Sequence, residues 1–414
     1  MPIYVTLRIL ARGDYRALDP GVLLAIQRTG RCGVLNRREW LVGAGMATLH
    51  AALGGAVRAA EPAADGAATW TGYKQSLPID GASGFDFLFL ETEAEIRKEL
   101  EIVRAAGMGA VLTTAGPNGR YWLDDEAIAR AGKTVDQWHA IAARHPEHIF
   151  IVEKGADLTP DGRRGRTGII LGFQGTEPLG ENPDRIASYR KAGVRVIQLT
   201  HNRRNLVGDG CMEPGNAGLS RFGHEVVERL NAERVVMDLA HGAPRTIEDA
   251  IRAAKAPMLI SHTGCRALAD LPRNVSDAQL RAMAGRGGVA GIIFWPYLRK
   301  DTQPMAVDVI AHIEHALKVC GEDHVGIGTD ISVRPVDRTP DFEKENREFM
   351  KAMVEDGIFE RGRPADLYTF IPDLNMANRF EVLAAMLSRR GHPDSRIAKI
   401  LGGNFARVMR EIWG

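Results

Sequence analysis

The sequence predicts a single (β/α)₈ barrel, a TIM barrel, preceded by an export segment. Three observations lead there. Beyond Tyr73, short Val/Ile-rich runs alternate with amphipathic stretches of helical length, the rhythm of a parallel sheet. At 414 residues the chain exceeds a minimal domain, yet one barrel with insertions accommodates it. Histidines and an aspartate stand where the apolar runs stop, and barrels of this kind carry their functional groups at strand ends.

The chain front reads as a targeting segment. Arg37-Arg38 precede an apolar, small-residue run from Leu41 to Val57, and Val57-Arg58-Ala59 resembles a cleavage site. This is the pattern of a twin-arginine signal over residues 34–60, which implies use of the twin-arginine export machinery and a periplasmic mature protein. Residues 1–33 then read as a mis-assigned start, and residues 61–73 as a polar Ala/Gly-rich linker. The barrel domain is expected over 74–414.

The candidate strands are Leu77–Asp80, Gly109–Thr113, Ile149–Val152, Gly168–Phe173, Val194–Thr200, Arg234–Leu239, Pro257–Ser261, Gly288–Phe294 and Val325–Gly328. Expected helices include Glu93–Ala106, Pro183–Lys191, Arg221–Asn231, Ala243–Ala254, Ser276–Gly285 and Val307–Cys320. Nine runs exceed the eight that a barrel needs. The surplus run, Ile149–Val152, is expected to form an outlying hairpin with Gly168–Phe173, because only the turn-rich TPDGRRGR segment lies between. Glu345 to Gly414 is expected to be helical and to pack on the barrel.

Composition narrows the function classes. Hydrophobic residues make up 45% and charged residues 25% of the chain, and 53 basic against 52 acidic residues leave a net charge of +1. Such balance predicts no nucleic-acid partner and no membrane-surface footprint. The four cysteines, Cys32, Cys211, Cys265 and Cys320, form no CxxC pair, so no thiolate metal knuckle is indicated. Removal of the signal would take Cys32 with it and permit at most one disulfide, whose partners the sequence does not name.

The chemistry lies at the strand ends. Gly168–Phe173 runs into Gln174-Gly175, Val194–Thr200 into His201-Asn202, Arg234–Leu239 toward His241, Pro257–Ser261 into His262, and Val325–Gly328 toward Asp330. One histidine alone is more readily a cap or a core residue. Several imidazoles and a carboxylate at equivalent places converge on one mouth, a donor set suited to zinc and similar ions.

The runs LTHNRRN (Leu199–Asn205), GLSRFGHEVVERLN (Gly218–Asn231), MDLAH (Met237–His241) and SHTGCRAL…LPRNVSDAQL (Ser261–Leu280) resemble the membrane (renal) dipeptidase family. HIEHALKVCGEDHVGIGTD (His312–Asp330) and LGGNFARV (Leu401–Val408) are similar to it as well. The resemblance runs from about Ile79 to the C-terminus. It implies a barrel of metallo-dependent hydrolase type, two zinc ions bridged by a glutamate, hydrolysis of dipeptides and related amides, and a homodimer. By the same resemblance, His241 and His262 match the two histidines of one zinc site. His201 matches a histidine that contacts substrate and the tetrahedral intermediate, and Arg273 an arginine that binds the substrate carboxylate. Asp330 matches the aspartate that handles the proton of the attacking water.

Three positions depart from that pattern. Where the family's first strand ends in Asp-Gly-His-Asn-Asp, this chain reads Asp80-Gly81-Ala82-Ser83-Gly84, so Ala82 and Gly84 replace two ligands. Gln174 replaces the bridging glutamate, and a neutral amide is a poor zinc ligand. Asp80 alternates away from the ligand position and Asp86 lies beyond it. The sequence therefore predicts one zinc ion at most, or none. Three readings stay open: a hydrolase acting on a small peptide or amide with a carboxylate, a metal-independent isomerase or tautomerase on a peptide-derived compound, and a non-catalytic ligand-binding protein.

Overall fold

Runs rich in Val and Ile become parallel strands here because both of their faces are covered. The computed structural model describes residues 70–116 and 126–414. The expected start (1–33), the twin-arginine segment (34–60), most of the 61–73 linker and Cys32 lie outside the described residues. Among the described residues, no helix is long and apolar enough to cross a membrane. Cys265 and Cys320 are free thiols.

The strands are β1 (Ile79–Asp80), β2 (Ser83–Gly84), β3 (Ala110–Thr114), β4 (Ile149–Ile151), β5 (Thr167–Phe173), β6 (Val194–Gln198), β7 (Val236–Asp238), β8 (Leu259–Thr263), β9 (Val289–Ile292), β10 (Val325–Ile327) and β11 (Ile331–Ser332). Eight of them close a parallel barrel in the order β1-β3-β5-β6-β7-β8-β9-β10, with β10 returning to β1. Every residue of β5, β6 and β8 is buried. Beyond the rim, β11 pairs with β2 in parallel, Ile331 opposite Ser83 and Ser332 opposite Gly84, which extends the β1/β10 seam upward.

Helices begin where the sequence supplies caps. Thr92 and Glu95 form a reciprocal capping box at the start of Glu93–Ala106, and Gly107, at φ 61°, ends that helix. Ser220 accepts from the Gly223 amide at the start of Arg221–Glu233. Ser276 and Gln279 box the start of Asp277–Ala284. A helix not named above, Ala127–Arg144, leads into β4.

The expected hairpin is not formed. β4 lies parallel to β5, with Ile149 opposite Thr167 and Ile151 opposite Ile169. A parallel return needs a crossover. It is supplied by the turn Gly155–Asp157 and the short helix Pro160–Arg163, which Thr159 caps by accepting from Gly162. β4 is nevertheless the surplus strand: it covers the lower part of β5, and β6 takes over the same edge from Leu171 upward.

The C-terminal region divides. Thr339–Asp366 belongs to a separate compact unit, its helix Pro340–Glu355 capped by Thr339. The last helix, Asn404–Trp413, joins the barrel's core, where Phe405, Val408, Met409 and Ile412 pack with Ile79, Ile170, Val236, Leu259 and Val289. Phe405 reaches furthest in. A Cβ on Gly81 or Gly326 would come within 2.6 Å of its ring, and one on Gly291 within 3.1 Å. Strands β9 and β10 and the residue after β1 thus carry glycine to admit one aromatic plug. Phe405→Ala is expected to cost about 3–5 kcal/mol in denaturant unfolding, the range for emptying a large buried aromatic site.

Candidate active site

The mouth of the barrel gathers five side chains from four strands and the loops that follow them. His201 follows β6, His241 follows β7, His262 lies within β8, Arg273 stands on the loop after β8, and Asp330 follows β10. β8 runs on to Thr263, so His262 is a strand residue and not the first residue beyond it, as the sequence had implied. His262 is completely buried, and His241 and Arg273 are nearly so. Asp330 and His201 keep some access to solvent.

The two buried imidazoles meet end to end, with Nε2 of His241 2.9 Å from Nε2 of His262. Their partners fix the tautomers. His241 Nδ1 lies 2.7 Å from Oδ1 of Asn202, an acceptor, so Nδ1 carries the hydrogen. His262 Nδ1 lies 2.7 Å from the Ser261 hydroxyl, which donates its own hydrogen to Asp238 Oδ2 at 2.5 Å. That hydroxyl therefore accepts from His262. Both Nε2 lone pairs consequently point into the same space, and two acceptors at that distance repel unless an electrophile lies between or beside them. Asp330 Oδ2 lies 3.8 Å from His262 Nε2. Ligand atoms of His241, His262 and Asp330 all fall within 4.8 Å of one another, a three-residue donor set for a metal ion.

Backbone geometry supports this convergence. His241 and Asp330 hold left-handed φ values of 63° and 60°. Such strain in residues with a Cβ persists only where surrounding structure imposes it. For Asp330 the restraints are visible: its amide donates to Ala82 O at 2.6 Å, and its carbonyl accepts from the Trp295 indole at 2.7 Å. For His241, the carbonyl accepts from the Cys211 amide at 2.6 Å.

Electrostatics favours neutral imidazoles. Burial, reinforced by the Arg273 guanidinium, pushes His201 down to about 3 and holds His241 and His262 well below the ordinary histidine range. Protons therefore do not compete with an ion for these nitrogens at neutral pH. Burial raises Asp330 to about 7, opposed by Arg273 and by a hydrogen bond from the Gln174 side chain.

His201 stacks on His241 with ring centroids 4.2 Å apart, placing it on the solvent side of the pair. Arg273 donates to His262 O at 2.9 Å, while its Nε has no hydrogen-bond partner. Its loop is anchored by Asn274, which accepts from Gly264 and donates to Ala269 O and Tyr297 O.

Ala82 and Gln174 line one small cavity at the mouth, beside Thr113, Phe173, Asp238 and Ser261, and Gly84 lies just beyond on β2. Asp80 does not reach the donor set, since its carboxylate accepts from Thr329 and Ala82. Asp86 is bound by the Ser332 hydroxyl and Arg334. Sequence reasoning assigned no role to Asn202, Ser261 or Asp238. All three lie inside the runs quoted above, and a buried aspartate ending an apolar strand was the available signal.

The membrane dipeptidase profile (peptidase family M19) matches residues 74–361. Dipeptidase verJ of Clonostachys rogersoniana is 27% identical over 292 residues, covering 69% of this chain and 66% of that protein. Dipeptidase ataJ of Aspergillus terreus is 26% identical, covering 69% and 68%. The chain thus spans about two thirds of the length of these curated relatives. An amidohydrolase of Pseudomonas aeruginosa superposes with a TM-score of 0.69 at 27% identity, over 83% of this chain and 98% of that one. A Rhodobacter sphaeroides metallopeptidase, solved with a phosphinate mimic of the dipeptide L-Ala-D-Ala, shares the fold with a TM-score of 0.66 at 17% identity, over 82% and 100%. With its barrel closed, its mouth lined by these residues and the profile covering most of the described chain, the protein belongs to the membrane dipeptidase family.

Proposed function

We propose that this chain is a metal-dependent hydrolase of small amides bearing a free carboxylate, dipeptides foremost, and that it works with a single ion. The observation that carries this reading is the pair of Nε2 lone pairs facing each other at 2.9 Å beside the Asp330 carboxylate. Two imidazoles and a carboxylate make the three-ligand set typical of catalytic zinc. Such an ion supplies Lewis-acid polarisation and a water acidic enough to attack at neutral pH.

The chain's own residues do the rest. Asn202 and Ser261 hold the imidazole hydrogens on Nδ1, so that Nε2 stays free on both rings. Arg273, buried and with its Nε unpartnered, offers a guanidinium to a substrate carboxylate, whose planar geometry it matches. His201, on the solvent side of His241, meets the amide and can hold or pass a proton. Dipeptide mimicry in the Rhodobacter sphaeroides neighbour supports the substrate class. The Arg37-Arg38 signal supports export by the twin-arginine machinery to the periplasm, and cell fractionation that finds the chain in the cytoplasm would remove that part.

The test is metal content together with turnover. Purified protein is expected to hold about one zinc per chain and to cleave free dipeptides but not their C-terminal amides, with activity lost to chelator and restored by zinc. Cleavage that persists in chelator would overturn the metal requirement. Isomerisation of a peptide-derived compound without cleavage, unaffected by chelator, would favour the metal-independent isomerase reading instead. Absence of both metal and turnover would leave the binding-protein reading.

A further inference from the structure

Two seams of the barrel carry the same hydrogen-bond device. In the first, Asp80 pairs in register with Ile327, and Thr329 stands two residues further along β10's chain. In the second, Asp238 pairs with Leu259, and Ser261 stands two residues on. Each aspartate accepts three hydrogen bonds from the same three kinds of donor. Asp80 Oδ1 takes the amides of Ala82 at 3.2 Å and Thr329 at 2.8 Å, and its Oδ2 takes the Thr329 hydroxyl at 2.6 Å. Asp238 Oδ1 takes the amides of Ala240 at 3.1 Å and Ser261 at 2.8 Å, and its Oδ2 takes the Ser261 hydroxyl at 2.5 Å. The residue after each clamped hydroxyl is a member of the donor set: Asp330 after Thr329, His262 after Ser261.

We propose that Asp80 and Asp238 are positioning residues, each fixing the backbone of the neighbouring strand so that the next side chain, Asp330 or His262, is held at the converging site. This rests on the single-ion reading above. Both carboxylates are almost wholly buried, and neither belongs to the donor set. The first clamp does not act alone. Arg379, also buried, donates to Ser332 O and Val333 O at 3.0 Å each, so the chain is gripped on both sides of the left-handed residue Asp330. A rigid outer shell of this kind sets the geometry, and hence the affinity, of the ligands it supports.

The experiment compares Thr329→Val and Asp80→Ala with Thr167→Val. Thr167 is a buried threonine at the opposite end of β5, where its hydroxyl donates to Met108 O at 2.9 Å. Zinc affinity is read by competition with a chromophoric chelator. Hydrogen exchange of the Trp295 indole, which donates to Asp330 O, is read by NMR in metal-free protein. Thr329→Val and Asp80→Ala are expected to weaken zinc binding by about 10–100-fold and to speed indole exchange. Thr167→Val is expected to lower thermal stability and move neither readout. The proposal is overturned if Thr329→Val keeps both readouts at wild-type values, or if Thr167→Val shifts them as far. Should Asp80→Ala fail to fold, Thr329→Val decides, because it removes one hydroxyl and keeps the shape. Should the wild-type protein take up no zinc, the hydrolase reading falls, and the Trp295 exchange rates alone decide the clamp.

Discussion

His262→Ala is expected to abolish both zinc retention and dipeptide hydrolysis. His262 is fully buried, its Nε2 is the atom nearest to both other donors, and its Nδ1 is tied through Ser261 to Asp238. Removing it leaves two ligands, one of which, Asp330, lies partly exposed. Outer-shell partners alone are worth about 10–100-fold in metal affinity, so loss of a ligand should exceed about 100-fold. A lost Lewis acid is worth several kcal/mol in the transition state, or about 10³-fold in kcat/KM at 1.36 kcal/mol per decade. A further readout separates site from fold. Zinc at about 100 times its Kd should raise wild-type stability by about 2.7 kcal/mol, and the same zinc should leave the variant's melting temperature unmoved. A variant that still melts higher with zinc would show that the ion sits elsewhere.

The barrel was legible because parallel strands buried on both faces must be written as continuous apolar runs, and β5 and β6 are such runs. The mouth was legible for a related reason: a polar residue at the end of an apolar run has to be there for a purpose other than the core. What the sequence hid depends on register between strands. Asp238 reads as a polar interruption in MDLAH, and only its pairing opposite Leu259 brings its carboxylate to the Ser261 hydroxyl. Asp80 was set aside as a ligand by strand alternation, but residues 80 and 82 share parity. What keeps its carboxylate from the donor set is its bonding to Thr329 and Ala82. Its true partner, Thr329, is 249 residues away, beyond any local pattern. Asn202 follows His201 in sequence and was given no role, yet its oxygen serves His241. The surplus strand failed for a simpler reason. Pro160–Arg163 is four residues long, too short to show a helical period, so a crossover looked like a turn.

Restoring the erased ligands, by Ala82→His, Gly84→Asp and Gln174→Glu together, is expected to raise zinc from one to two per chain, and the single changes should not. Ala82 and Gln174 already share one cavity wall, so the positions converge without rebuilding the barrel. That cavity is small, about 10 Å³, at the threshold for holding even one water. An imidazole at 82 alone therefore overpacks the mouth, at a cost of about 1–3 kcal/mol. At Gly84 an added Cβ would meet Thr113 Oγ1 at 2.9 Å, a side-chain tip that can turn aside. Gln174→Glu alone replaces a donor to Asp330 with a second carboxylate, which repels it in the absence of metal. Each single variant should thus be less stable than wild type in chelator, and zinc should reverse the loss fully only in the triple variant, where cations offset the added charge. Two zinc ions per chain there would mean that ligand identity alone distinguishes this mouth from a two-metal one. A count that stays at one would mean that packing around Thr113 and Phe173 has closed the second site, and that the single-ion arrangement is built into the barrel's walls as well as its ligands.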